Sequence, residues 1–274
     1  MRLSLVQNMI NIFRGRFLYM QEIADKYEKI QYENFLKTFV IGSSHAMFYQ
    51  TEEKELNLAT SSQDLYYSYC LYEKYGQNAE NVILTYSVFS RGLCLIKTKE
   101  IELCILLKEI FGIDYQFKDV AKNKFLHILE PFYRIQIKKY FKDHNSLKKR
   151  ICNVKNVQIN NSVDFIQERA KKHYKNYQRK LDQLDYIKMI VEKTEKNNQK
   201  LILILPPVKK IYKEVLPSGQ EMFEHLFKIC REYKHIQILD FYNFDSFEEE
   251  DFVDGDHLNT KGQLKMTEMV RAEI

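Results

Sequence analysis

Thr38-Phe39-Val40-Ile41-Gly42-Ser43-Ser44-His45 (TFVIGSSH) is the stretch on which the fold turns. A short apolar run stops at a glycine and gives way to small polar residues. This is how a buried strand ends at a tight turn that leads into a helix. Four further mainly apolar runs share its character: Leu56–Leu58, Val82–Leu84, Leu201–Leu205 and Ile236–Leu239. Their hydrophobicity is largely continuous rather than alternating, which suits a parallel sheet covered on both faces. Between them lie residues at helical spacing: Leu65, Tyr69, Tyr72 and Tyr75, and later Met222, Leu226, Ile229 and Tyr233. Strands alternating with helices predict a doubly wound α/β fold with five strands.

The long interval between the third and fourth strands holds more than a crossover needs. It contains Ile101–Phe111, then Phe125–Tyr140. A long amphipathic helix follows, on which Ile166, Ala170, Tyr174, Tyr177, Leu181, Leu184, Ile187 and Val191 recur at steps of three or four. Residues from about Tyr115 to Asn161 read as a helical insertion, and Met1–Asn34 as a helical extension ahead of the first strand. Both are attached to a single α/β domain spanning 1–274. The Asn-rich segment NVKNVQINNSVD reads as a loop in which Ser162 or Asp164 caps the next helix.

The composition narrows the function classes. A hydrophobic fraction of 45%, with 18 Phe and 19 Tyr among 274 residues, belongs to a chain that folds rather than to a disordered one. The net charge of +5 favours anionic partners weakly. Most of the excess lies in one stretch that includes Lys138, Lys139, Lys148, Lys149, Arg150, Lys171, Lys172, Arg179 and Lys180. Such a run reads as a solvated face; no motif that reads DNA or RNA accompanies it, and nucleic acid is not an expected partner. The five cysteines are widely spaced and include no CxxC, which predicts neither a disulfide framework nor a zinc site and fits a reducing compartment. No stretch approaches the ~18 apolar residues of a membrane helix. A cytoplasmic location is expected, with no cofactor and no metal.

The turn after the first strand is where an α/β sheet gathers ligands, and it surrounds Ser44 with backbone N–H groups. An ordinary helix cap fits the same serine. What adds to it lies at the other end of the chain, in FEEEDFVDGDHLNTKG, where Asp254 precedes His257 by three residues. A serine hydroxyl needs a base, imidazole suits that work near neutral pH, and a carboxylate three residues away can fix the ring's tautomer. Asp254, Asp256 and His257 also fit a capping turn before the last helix.

With Gly42-Ser43-Ser44 after the first strand and Asp254-x-x-His257-Leu258-Asn259 before the last helix, the chain resembles the SGNH (GDSL-like) hydrolases. Within them it resembles the SGNH-like proteins found with bacterial surface-polysaccharide and teichoic-acid genes. The resemblance covers about Thr38–Ser90 and Lys200–Ile274. It implies a flavodoxin-like, three-layer α/β/α fold, with Ser44 as nucleophile, His257 as general base and Asp254 as its partner. It further implies an esterase or O-acyltransferase acting on an ester-linked acyl group, such as acetyl, of a carbohydrate. Its middle blocks depart from the pattern. Ser62 stands where a glycine N–H joins the Ser44 N–H in the oxyanion hole, and Ser87 stands where an Asn side chain completes it. Ser87 can donate through its hydroxyl but is shorter, and losing such a donor costs about a hundredfold or more in rate. The alternative implied is a catalytically weak or inactive module that binds a glycan or a protein. His45, Tyr86 and Arg91 are the candidate substrate-binding residues, and Lys209 and Tyr212 lie where the loop after the fourth strand can reach the pocket. Cys70 and Cys230 sit at core spacing.

Overall fold

Why the apolar runs are continuous is plain once the sheet is assembled. In the computed structural model, which describes residues 20, 22–30, 35–98, 100–116, 124–142, 161–179 and 183–274, they become β1 (Leu36–Ile41), β2 (Glu55–Asn57), β3 (Ala79–Thr85), β4 (Lys200–Leu205) and β5 (Ile236–Asp240). The strands lie in the order β2-β1-β3-β4-β5, and every pairing is parallel. β1 and β4 are buried on both faces: Phe39, Val40, Ile41 and all of Leu201–Leu205 have no accessible surface. A strand covered on both sides gains from an apolar residue at every position, so alternation disappears.

The helices supply that cover. α5 (Leu184–Lys196) packs against both α1 (Leu65–Leu71) and α7 (Gly219–Cys230), and lies on β4. On the other face, Val40, Ile83, Ile202 and Ile204 form one cluster with Met266 and Val270 of α8 (Thr260–Arg271). Further helices are α2 (Glu102–Phe111), α3 (Lys124–Lys142), α4 (Val163–Tyr177) and the single turn α6 (Lys210–Lys213). The three-layer α/β/α arrangement and the mainly parallel five-stranded sheet are thus as the sequence predicts. No helix among the described residues is long and apolar enough to cross a membrane.

One prediction fails. The long helix read through Ile166 and Val191 is two helices, α4 and α5, with Leu181 outside the described residues. The apolar stripes of both helices have similar phase, so periodicity alone joins them. Tertiary contacts mark where they part. A Cβ on Gly92 would lie 1.7 Å from the Asn176 carbonyl oxygen, so only glycine lets that loop pass the end of α4. Just before α5, the Gln183 N–H donates to the Arg91 carbonyl and the Gln183 side-chain oxygen accepts from the Tyr66 N–H. Ser162 does cap α4, accepting from the Phe165 N–H.

The chain falls into two compact units, one drawn from 34–100 and 155–274, the other from 1–33 and 101–154. The first carries the sheet. In the second, Tyr27 of the helical segment at 22–30 meets Phe111 of α2 edge-on, Tyr140 of α3 donates to Asp25, and Tyr133 donates to Glu102. α2, left outside the insertion by the sequence reading, belongs to this unit. Most of the N-terminal extension and the Asn-rich loop, with Lys148, Lys149, Arg150, Cys152 and Lys180, lie outside the described residues. Cys230 is buried and Cys70 half-buried, and neither forms a disulfide among the described residues.

Candidate active site

The turn that presents Ser44 is built around Gly42. Its φ is +133°, and a Cβ there would lie 2.3 Å from Thr85 Oγ1 on β3, so a side chain is excluded twice over. The Gly42 carbonyl accepts from the Thr60 N–H, which ties the turn to the loop after β2. Ser44 then opens a five-residue 3-10 turn, Ser44–Phe48, rather than a full helix. The second half of the site is a loop pinned at both ends. Phe252 and Leu258 bridge antiparallel, the Val253 N–H donates to the His257 carbonyl, and the Asn259 N–H donates to the Asp251 carbonyl. The Asn259 side chain caps α8 by accepting from the Gly262 N–H.

Within this loop Asp254 wraps its own successors. Its Oδ1 accepts the N–H groups of Asp256 at 3.0 Å and His257 at 2.8 Å, while its Oδ2 lies 2.9 Å from His257 Nδ1. His257 Nε2 is 2.9 Å from Ser44 Oγ, across 213 residues of sequence. A carboxylate only accepts, so Nδ1 carries the ring proton and Nε2 is left to accept from the Ser44 hydroxyl. Burial opposes protonation of His257, but the Asp254 bond and the Asp256 charge outweigh it and raise the imidazole's pKa above its ordinary value. Asp254 shows the converse: burial works against its charge, and His257 more than compensates, holding the carboxyl below the usual range. A hydroxyl, a basic imidazole and an orienting carboxylate therefore stand in line, an arrangement able to generate a nucleophilic oxygen.

The sequence matches no known protein family and no curated protein. Among solved structures the fold is similar to one from Desulfitobacterium hafniense DCB-2, assigned as a lipolytic protein of the G-D-S-L family. The two are 13% identical, the match covers 87% of this chain and 99% of that one, and the TM-score is 0.40.

Behind His257 lies a second polar layer that the sequence did not disclose. Asp256, 1% exposed, is bonded by Arg169 of α4, from Nε to Oδ1 and from Nη2 to Oδ2 at 3.3 Å. Three imidazoles face the same carboxylate: His45 Nε2 at 3.5 Å, His173 Nδ1 at 3.7 Å and His257 Nδ1 at 3.9 Å. Burial alone would push the Asp256 pKa up, yet these histidines and Arg169 hold it well below the carboxylate range. Burial dominates at His45, lowering its pKa, and at His173, lowering it to about 4, so both rings are neutral near pH 7. The His45 ring stacks on that of His257, with centroids 5.1 Å apart.

Ser44 and His257 open onto a cavity of about 530 Å³, also lined by Ser62, Phe89 and Leu93. Ser62 has φ +53°, the left-handed conformation that glycine favours, so it takes a glycine's backbone shape without being one. Its hydroxyl donates to Glu100. The other predicted site residues are not at this cavity. Ser87 is buried, its N–H donates to Ser90 Oγ, and its hydroxyl lies 2.8 Å from His45 Nδ1. With His45 Nε2 directed at Asp256, Nδ1 accepts the Ser87 proton, and the hydroxyl has no second hydrogen to give. His45 is buried instead of facing solvent or substrate. Tyr86 is buried with its hydroxyl 2.6 Å from His225 Nε2, and Arg91 lies over the Tyr177 ring. Tyr212 is buried against His173, and Lys209 pairs with Glu249. The spacing of Arg169, His173 and Asn176 on α4 was the one sequence signal for this wall, and it is indistinguishable from a solvated helix face.

His45, Asp256 and His257 bring ligand-type atoms within 4.8 Å of one another. The fit to a metal is poor, because Arg169 already supplies a cation to Asp256 and both nitrogens of His257 are engaged by Ser44 and Asp254.

Proposed function

We propose that the protein is a serine-dependent esterase or O-acyltransferase working through an acyl-enzyme on Ser44. The observation that carries this reading is the unbroken line from Ser44 Oγ to His257 Nε2 and from His257 Nδ1 to Asp254, with 2.9 Å at each step. Ser44 Oγ attacks the acyl carbon of an ester while its proton passes to His257 Nε2. The carbonyl oxygen takes the electron pair as an oxyanion, for which the N–H groups of Ser44 and Ser62 are the candidate donors. Collapse of this intermediate breaks the ester bond, and the departing alkoxide takes the proton from His257. Water or a second hydroxyl then attacks the acyl-enzyme, gives its proton to His257 and releases the acyl group as acid or as new ester, while Ser44 recovers its hydrogen. Carbohydrate as the alcohol and acetyl as the acyl group rest on the family resemblance alone.

A fluorophosphonate probe tests the assignment. The wild type is expected to label, and Ser44→Ala and His257→Ala are not; p-nitrophenyl acetate should be hydrolysed above the Ser44→Ala background. Equal labelling of Ser44→Ala would overturn the nucleophile. The engagement of Ser87 by His45 favours a second reading, a binding module with little turnover. Labelling without hydrolysis would select it.

A further inference from the structure

α4 turns one face to the cavity. Arg169, Lys172, His173 and Asn176 stand at i, i+3, i+4 and i+7, the spacing of a single helix face, and Arg179 follows just past its end. All of them line the cavity that holds Ser44 and His257, together with Lys97. Asp256 matches the charge of Arg169. Among the described residues, Lys97, Lys172 and Arg179 form no ion pair, and the one carboxylate that lines the cavity with them, Glu100, is bonded to Ser61 and Ser62. Against these three cations stands the single charge of Glu100, so the concavity keeps a positive excess, and a cleft with an excess of one sign concentrates ligands of the other. Phe89 and Leu93 add a small apolar wall, as a site for a small molecule requires.

We infer that the ester taken by this site carries a fixed negative charge, a carboxylate or a phosphate, on the part of the substrate that lies along α4. The inference rests on the reading of Ser44 as nucleophile only in calling the ligand an ester. The anion site itself stands on the α4 face. A guanidinium and two ammonium groups donate hydrogen bonds without accepting any, so a neutral sugar satisfies them less well than an anionic group does.

The test compares one acetyl ester on a neutral methyl glycoside, on the matching uronic acid and on the matching sugar phosphate. Wild-type kcat/KM is expected to favour one or both anionic esters by roughly tenfold or more, the worth of a charge-assisted hydrogen bond. Preference for the uronic acid alone identifies a carboxylate, and for the sugar phosphate alone a phosphate. Lys172→Glu and Arg179→Glu should collapse that ratio. Lys171→Glu and Lys175→Glu, which make the same change of net charge on exposed positions of α4 outside the cavity lining, should leave it in place. Equal kcat/KM for neutral and anionic esters, or an equal fall of the ratio in both pairs of variants, overturns the proposal. Calorimetric binding of the uronic acid and the sugar phosphate to Ser44→Ala separates the two readings. Binding there that is lost with Lys172→Glu keeps the anion site even if the wild type neither labels nor turns over. Absence of binding in a Ser44→Ala protein whose wild type does label removes the anion site and leaves the nucleophile.

Discussion

Replacing Asp256 by Asn probes the buried layer behind the imidazole. The carboxylate is 1% exposed and the Arg169 side chain 28% exposed, with Nη2 and Oδ2 3.3 Å apart. Two unit charges at that separation attract by about 5 kcal/mol at an effective dielectric constant of about 20. The amide keeps one oxygen for Arg169 and no longer bears the cost of burying a charge, which offsets about half. The expected loss of stability is therefore about 2–3 kcal/mol, at or below the range for breaking a buried pair because Arg169 is partly solvated. The pH dependence carries a sign for each group. Asp256 titrates lower in the folded state, so its contribution is full above the unfolded value of about 3.9 and is lost as pH falls through the folded one. His257 titrates higher when folded, so its charge stabilises below about pH 6.5 and that contribution is lost as pH rises through its folded pKa. Removing the Asp256 charge weakens the second contribution as well, so the gap between wild type and Asp256→Asn is widest between about pH 4 and 6.5. Because the base must be neutral to accept the serine proton, the acid limb of kcat/KM for p-nitrophenyl acetate should move to lower pH in the variant. Urea denaturation across this pH range, with the rate profile beside it, measures both effects. An unchanged urea midpoint together with an unmoved acid limb would refute the reasoning.

Asp254→Asn should leave the loop largely in place but present the wrong ring nitrogen to Ser44, lowering kcat about ten-thousandfold; a loss below tenfold would show that Asp254 does not set the tautomer of His257. Ser87→Ala should cost about 1 kcal/mol by leaving the buried His45 Nδ1 only the longer contact to Ser43 Oγ at 3.4 Å, yet change kcat less than tenfold, as read by thermal melting and steady-state rates. A hundredfold fall in kcat in a stable variant would place that hydroxyl in the oxyanion hole after all. Gly42→Ala sets a Cβ against Thr85 Oγ1 at a φ that side chains avoid. A loss of about 3 kcal/mol or more in urea titration is expected, and a wild-type midpoint would contradict the turn geometry.

Sequence alone settled whatever depends on neighbours along the chain. The runs at Phe39–Ile41 and Leu201–Leu205 declared a doubly covered parallel sheet because burial on both faces leaves no polar position. Gly42 and the Asp254-x-x-His257 spacing were legible because one backbone turn and one short loop enforce them locally. Tertiary structure decided what depends on distant chain segments meeting. Arg169 reaches Asp256 from 87 residues away, and Ser87 meets His45 across 42. Neither pairing leaves a periodicity, since a helix face that donates into a cavity has the same composition as one that faces water. The same blindness joined α4 to α5: hydrophobic spacing reports which side of a helix is buried, not where the chain stops being a helix, and the loop carrying Gly92 and Arg91 made that choice.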